Sequence, residues 1–291
     1  MMRTILLSTA LVGLVVFAGY AAQDSGNTQQ QQTRRGFGGG MRRGAAPARG
    51  GTQYLETETG RWLVHDVDRP APPIITPGTE STQDKPGKAP SDAIVLFDGN
   101  DLSNWVPSSG NQMRWIAQDG YMVPQNRAGD IKTKQSFGSC QLHIEFATPT
   151  PARGTSQERG NSGVFLMSTY EVQVLDSYDN KTYPDGQCAA LYGRSVPLVN
   201  ACREPGQWQS FDIIFHRPVF EGNEVVKKAT FTILQNGVLV QDHVELSGGT
   251  GWIDEHTITN YSPHADKLPL SLQYHQNAVK FRNIWIRELK D

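Results

Sequence analysis

From Ser91 onward the chain alternates apolar and polar positions in short runs divided by turn signals. That period of two is the signature of strands with one covered face. Trp115-Ile-Ala-Gln-Asp-Gly-Tyr-Met-Val123 predicts a hairpin centred on Asp119-Gly120. Thr230-Phe-Thr-Ile-Leu, then Gln235-Asn236-Gly237, then Val238-Leu-Val240 predicts a second one. Gln141-Leu-His-Ile-Glu-Phe146 alternates strictly, and Phe211-Asp-Ile-Ile-Phe215 reads as a buried strand. Leu270–His275 and Val279–Arg287 close the series. No segment holds a helical period beyond a turn or two. About a dozen short strands without helices predict an all-β fold, a two-sheet jelly-roll sandwich. A single domain of about 200 residues has a core large enough to be stable without a disulfide.

Three strands carry polar faces of unusual chemistry. In Tyr170-Glu-Val-Gln-Val-Leu-Asp176, Glu171 and Gln173 point one way and Val172 and Val174 the other. A bulge after Gln173 would return Asp176 to the face of Glu171. Gln141, His143 and Glu145 sit opposite Leu142, Ile144 and Phe146. Ser271, Gln273 and His275 sit opposite Leu270, Leu272 and Tyr274. A merely solvated face usually carries Lys and Thr, whereas His, Glu and Gln hydrogen-bond and transfer protons. If the three strands share one sheet, that face is a groove suited to sugars, which offer many hydroxyls and few charges. The bland alternative is a solvated outer face, with His143 and Glu145 a surface pair. Arg282 opens the closing strand. Its guanidinium can fork onto sugar hydroxyls, or pair with Glu171 or Asp176 and hold the sheet in register. Tyr192, Trp115 and Trp208 can stack on a sugar ring, although Trp208 also suits the core.

The rest of the chain is different in kind. Met1-Met-Arg3, the apolar run Ile5–Ala18 and Gly19-Tyr-Ala21 predict a signal peptide over 1–21. The apolar run is short for a membrane span. Tyr20 stands where a lipidated cysteine would be, so a periplasmic or secreted protein with no stable membrane insertion is expected, an uncleaved anchor being the alternative. Residues 22–50 are rich in Gln, Gly and Arg and have almost nothing to bury, so they are expected to be disordered. A tether or cell-envelope contact is the role they suggest. Residues 51–91 have anchors at Tyr54, Trp62, Leu63 and Val64 and prolines at 70, 72, 73 and 77. They predict an extended strap on the domain, which itself takes 92–291. The net charge is −2 overall but −7 over residues 51–291, which argues against nucleic-acid binding by the folded part. Cys188 and Cys202 could close a short loop, worth ~3 kcal/mol in an oxidising compartment. Cys140 would then be a small buried residue, though spacing alone does not fix the pairing. Neither a CxxC pair nor HExxH is present, so a zinc site has no support.

Several stretches resemble one known family. Leu96-Phe-Asp-Gly-Asn-Asp-Leu-Ser-Asn-Trp105 and Gly160-Asn-Ser-Gly-Val-Phe-Leu166 are similar to motifs of the 3-keto-disaccharide hydrolase domain family. So are Tyr170–Asp176, Ala190-Leu-Tyr-Gly193 and Val279-Lys-Phe-Arg-Asn-Ile284. The resemblance spans roughly residues 92–290, with the motifs in the expected order. It implies a concanavalin-like β-sandwich acting on glycosides oxidised at the sugar's C3. Where the family often reads Gln-Asp-His-Gly, this chain reads Gln273-Tyr-His-Gln276, so fine substrate preference is not carried over. There is also a similarity of pattern to laminarinase-like glucanases, whose catalytic strand has acids at i, i+2 and i+5. Here Gln173 replaces the middle acid, which breaks that arrangement and leaves Glu171 and Asp176 as the carboxylates.

A 3-keto sugar implies its own chemistry. The ketone acidifies the C2 hydrogen, a base removes it, the enolate expels the aglycone from C1, and water adds. The roles are a base, an enolate stabiliser and an acid for the leaving group. His275 is the expected base, since an imidazole titrates near neutrality. Glu171 or Asp176 is the expected acid, or orients the histidine. Asn161, Ser162, Gln173 and Arg282 would hold hydroxyls and the ketone oxygen, with Tyr192, Gln273, His143 and Glu145 completing the substrate contacts. A divalent cation between Asp176, Glu171 and His275 is a variant of the same scheme. The rival class is a non-catalytic carbohydrate-binding, lectin-like module, because the same sandwich serves both.

Overall fold

The computed structural model describes residues 53–251 and 260–291. The expected leader and the Gln/Gly/Arg-rich segment lie outside the described residues. The described residues divide into two units, with the boundary between Pro72 and Pro73. The described part of the first holds one antiparallel hairpin, β1 (Tyr54–Thr57) and β2 (Gly60–Leu63).

The second unit carries the alternating runs as strands. They are β3 (Ile94–Phe97), β4 (Trp105–Pro107), β5 (Trp115–Gln118), β6 (Tyr121–Pro124), β7 (Ile131–Phe137) and β8 (Cys140–Ala147). Next come β9 (Ser162–Leu166), β10 (Tyr170–Val174), β11 (Gln209–His216), β12 (Val219–Glu221) and β13 (Glu224–Lys227). The last are β14 (Thr230–Gln235), β15 (Val238–Glu245), β16 (Leu268–Leu272) and β17 (Lys280–Glu288). Helical content among the described residues is two three-residue 3-10 turns.

Two sheets make the domain. One has five strands in the order β10-β9-β16-β7-β4. The other has eight, β15-β14-β11-β8-β17-β6-β5, with β3 added on β17. Val164, Tyr170, Val172 and Leu272 of the first join Leu142, Ile144, Phe211 and Phe281 of the second in one buried cluster. Each such side chain contributes ~1.5–3 kcal/mol on burial, and this shared layer makes the sheets the sandwich the alternation predicted. Both predicted hairpins form. Asp119 and Gly120 have φ of 50° and 79°, and Asn236 and Gly237 have 53° and 78°. Two consecutive left-handed residues match the twist of the flanking strands.

Two expectations are modified. The strand expected over Leu270–His275 ends at Leu272. Gln273 N still donates to Gly163 O (3.0 Å), but Tyr274 N then donates to the Asp130 carboxylate (2.8 Å) and Gln276 turns left-handed (φ 60°). A side chain has taken the place of the next ladder partner. The strap divides as well, because residues 73–91 belong to the sandwich unit. Their turn is closed by Thr79 N→Lys88 O (2.9 Å) and Ser91 N→Thr76 O (3.0 Å). The tip lies on the eight-stranded sheet, where Arg282 Nη2 donates to Thr82 O (2.6 Å).

All three cysteines are thiols. Cys188 and Cys202, the pair considered for a bridge, both lie against Gln235 Nε2, at 3.5 and 3.3 Å. Cys140 is buried, and burial pushes its thiol up to about 12. Among the described residues no helix is long and apolar enough to cross a membrane.

Candidate active site

The site is built on the outer face of the five-stranded sheet. β9 and β10 pair with Glu171 opposite Phe165 and Gln173 opposite Gly163. Since Val164, Val172 and Val174 fill the core, the alternation turns Gly163, Phe165, Glu171 and Gln173 outward. The Ala190–Gly193 stretch runs beside β10. Gln173 N donates to Ala190 O (2.9 Å), Ala189 N to Gln173 O (2.9 Å) and Tyr192 N to Glu171 O (3.3 Å). The outcome is a cavity of about 390 Å³ walled by Glu171, Gln173, Asn161, Tyr192, Gln273 and His275, together with Phe165 and Gly251.

Glu171 is 5 % exposed. Burial, reinforced by the nearby Asp130 carboxylate, pushes it up to about 8. It is therefore protonated at neutral pH and able to donate. With its nitrogen facing acceptors, the Gln173 amide donates to Glu171 Oε1 and to Ser162 O, both at 3.0 Å. Gly163 makes the space for this carboxyl. A Cβ there would stand 2.5 Å from Glu171 Oε1 and 2.6 Å from the Phe165 ring. Asn161 is oriented by its own bond, Nδ2 to Gln157 O (2.7 Å).

His275 occupies the exposed loop after β16. Asn277 fixes this loop, donating to His275 O (2.9 Å) and accepting from Gly160 N (3.0 Å). His275 also walls a second cavity of about 640 Å³, formed with residues 149–154, 158–160 and 276–278. The imidazole thus stands between two spaces, the smaller one holding Glu171.

Five of the residues nominated from sequence are placed elsewhere. Asp176 does not return to the face of Glu171. β10 ends at Val174, and Asp176, 1 % exposed, is paired with Arg159, Nε to Oδ2 2.7 Å. Ser162 points inward, and its Oγ donates to Gln273 O (2.7 Å). It holds the cavity wall instead of facing a ligand.

Arg282, Glu145 and His143 belong to the eight-stranded sheet. β8 and β17 pair there with Arg282 opposite Glu145. The outer faces of the two sheets look away from the shared core in opposite directions, so these three residues are separated from the cavity by the core. They form their own network under the tip of the strap. Arg282 Nε donates to Glu145 Oε2 (2.7 Å), His143 Nδ1 lies 2.7 Å from Asp212 Oδ1, and Ser81 Oγ donates to Glu145 Oε1. Burial pulls the His143 imidazole down, but the Asp212 and Glu145 carboxylates outweigh it and hold it up at about 9. Burial likewise raises Glu145, and its bonds from His143, Ser81, Asn283 and Arg282 reverse that to about 2.

Trp208 lies on that same outer face under the Arg282 guanidinium, 4.2 Å from its ring centre. Trp115 is a core residue. The aromatic surfaces in the Glu171 cavity are Tyr192 and Phe165.

The cation considered from sequence does not find its ligands together. Asp176 is committed to Arg159. Among the described residues no group of three or more His, Cys, Asp or Glu side chains is placed to hold a metal ion. Sequence reasoning missed Phe165, Gly163, Gln157 and Asn277. The first two lie in the Asn161–Leu166 run and were open to a period-two reading. The other two act from loops, where no periodicity signals them.

The sequence model of the 3-keto-alpha-glucoside-1,2-lyase-like domain family matches residues 92–287. Among solved structures, one from Parabacteroides distasonis assigned as a glycosyl hydrolase is 45 % identical. It matches with a TM-score of 0.73 over 77 % of this chain and 95 % of that one. A second from Parabacteroides distasonis with the same assignment is 20 % identical, with a TM-score of 0.50 over 68 % of this chain and 94 % of that one, and shows the fold alone. No curated protein sequence matches the chain.

Proposed function

The chain belongs to the 3-keto-alpha-glucoside-1,2-lyase-like domain family, and from that membership and the Glu171 cavity we propose that it cleaves glycosides oxidised at C3 of the sugar. One observation carries the reading: a buried carboxyl that keeps its proton at neutral pH shares a sugar-sized cavity with an exposed imidazole. His275 takes the C2 proton, which the adjacent ketone has acidified. The electron pair of the C–H bond moves into the enolate of C2 and C3. It returns to form the C1=C2 bond as the C1–O bond breaks, and Glu171 gives the departing oxygen its proton. Water adds across the double bond, the hydroxyl going to C1 and the proton to C2. The net reaction is hydrolysis of the glycoside.

The two cavities support this assignment of roles. A space of about 390 Å³ suits one sugar ring, and the 640 Å³ space across His275 suits the aglycone. Asp176 has no part in the step. The chain carries no oxidoreductase signal, so a separate oxidation supplies the ketone. The leader expected over residues 1–21 would put both events outside the cytoplasm.

The test is incubation of the purified protein with a 3-keto-glucoside bearing a chromogenic aglycone, beside the unoxidised glucoside. Release from the keto form alone, lost in His275→Ala and, for a sugar aglycone, in Glu171→Ala, is the expected result. Binding of both sugars without release would instead make the protein a lectin-like module.

A further inference from the structure

The elimination above develops negative charge on the C3 oxygen, and the cavity has no cation among its described walls to meet it. Apart from Glu171 and His275, whose protons the elimination already uses, its donors are amides and one phenol. Asn161 Nδ2 is committed to Gln157 O, and the Gln173 amide to Glu171 and Ser162 O. The Tyr192 hydroxyl and the Gln273 amide remain. Of these the phenol is the more acidic, and so the better able to share a proton as charge builds.

Tyr192 has a built partner. Its hydroxyl lies 2.5 Å from that of Tyr183, with the rings edge to face at 6.2 Å and 66°. The Tyr183 ring fills a slot that exists because residue 186 is glycine, since a Cβ there would fall inside the ring. Gly186 O accepts from Gln157 Nε2 (2.9 Å), and Gln157 O is the acceptor that orients Asn161. Gly193 N donates to Asp185 O (2.9 Å), which ties the two tyrosine segments together. The pair is thus part of the frame that shapes the cavity.

Resting on the elimination reading, we propose that Tyr192 is the catalytic donor to the C3 oxygen, and that Tyr183 is the positioning residue that aims and strengthens it. Between two hydroxyls one proton closes the pair and the other stays free. In the arrangement proposed, Tyr183 is the donor of the pair and the Tyr192 proton is left for the substrate. A hydroxyl that accepts a bond is a better donor itself. Burial raises the Tyr192 phenol above its ordinary value, so it remains a neutral donor through the neutral range.

The experiment uses the full chain and the chromogenic 3-keto-glucoside, with Tyr192→Phe, Tyr183→Phe, the double variant and Gln273→Leu. Aglycone release and exchange of the C2 hydrogen with deuterated water are both read, after thermal melts establish that each variant is folded. Expected are a fall in kcat of about 10²- to 10³-fold for Tyr192→Phe and a smaller fall for Tyr183→Phe. KM should be nearly unchanged in both, C2 exchange should fall in parallel, and the double variant should be no worse than Tyr192→Phe alone. Wild-type turnover with both single Phe variants within twofold of it would overturn the donor while leaving the cleavage reading intact. So would a loss confined to Gln273→Leu. A Tyr183→Phe effect that multiplies with that of Tyr192→Phe would overturn the relay. Absence of release by the wild-type chain would overturn both proposals.

Discussion

Glu171 and Asp176 lie five positions apart in sequence and meet opposite environments. Asp176 Oδ2 is 2.7 Å from the Arg159 guanidinium, whereas Glu171 faces a cavity and has another carboxylate, Asp130, nearby. Burial beside another carboxylate keeps the Glu171 carboxyl protonated at neutral pH. On the proposed reaction this makes Glu171 the general acid, with consequences that can be measured.

Glu171→Gln keeps the shape and the bond to Gln173 but removes the proton that is donated. On the proposed reaction, kcat should fall by about 10²-fold or more for a sugar aglycone, which leaves poorly unprotonated. For a nitrophenyl aglycone the loss should be much smaller. Equal losses for both leaving groups, measured by steady-state kinetics, would count against general-acid catalysis.

The pH dependence follows from the same carboxyl. Activity should fall on the basic side with a midpoint near 8, as Glu171 loses its proton. Stability should move with it. The folded-state value lies above the ordinary 4.5, so between about 4.5 and about 8 the folded chain holds a proton that the unfolded chain does not. Stability therefore declines as pH rises through that window, by at most ~1.4 kcal/mol per pH unit. Urea titrations across the window should show this slope in wild type and a flatter one in Glu171→Gln.

Gly163→Ala tests the packing beneath the carboxyl. The added methyl would meet Glu171 Oε1 at 2.5 Å and the Phe165 ring at 2.6 Å. Crowding of this kind costs ~1–3 kcal/mol. The displaced carboxyl should lower turnover well beyond what the shift in melting temperature accounts for.

Glu145→Gln separates stability from activity. It leaves the buried Arg282 guanidinium without its counter-charge and removes one of the two carboxylates on His143. Breaking such a pair costs ~3–5 kcal/mol. In wild type the His143 contribution is full below about 6.5 and is lost as pH rises through about 9. The Glu145 contribution is full above about 4.5 and is lost as pH falls toward about 2. Below its own melting transition the variant should cleave at close to the wild-type rate, because the network lies across the core from the cavity. A large loss of kcat in folded Glu145→Gln would contradict that separation.

Cys188 and Cys202 share the Gln235 amide as a neighbour, so oxidation should join them and leave Cys140 as the free thiol. The bridged form should lose the mass of two hydrogens and resist urea by up to ~3 kcal/mol more than the reduced form. Thiol counting after oxidative refolding checks this, three titratable thiols being the contrary result.

Features that depend on neighbours along the chain were legible without any tertiary contact. Alternation at Val172/Glu171 and Leu142/His143 set which side chains turn inward, because successive residues on a strand must face opposite ways. Asp119-Gly120 and Asn236-Gly237 set both hairpins, because few other residues accept two left-handed conformations in a row. The motifs from Leu96 to Ile284 indicated the family that the comparisons show.

Which polar faces meet is set by contacts between distant segments. Gln273 joined Glu171 because β16 pairs with β9, while Glu145 was carried to the other sheet because β8 pairs with β11 and β17. A period of two fixes a residue's face on its own strand but says nothing about the strand beside it, and that choice is made by packing between distant segments. Asp176, His275 and Tyr183 were harder still to place from sequence. They lie beyond strand ends, where backbone bonds to Arg159 and the side chains of Asn277 and Gly186's missing Cβ set the geometry in place of any repeating pattern.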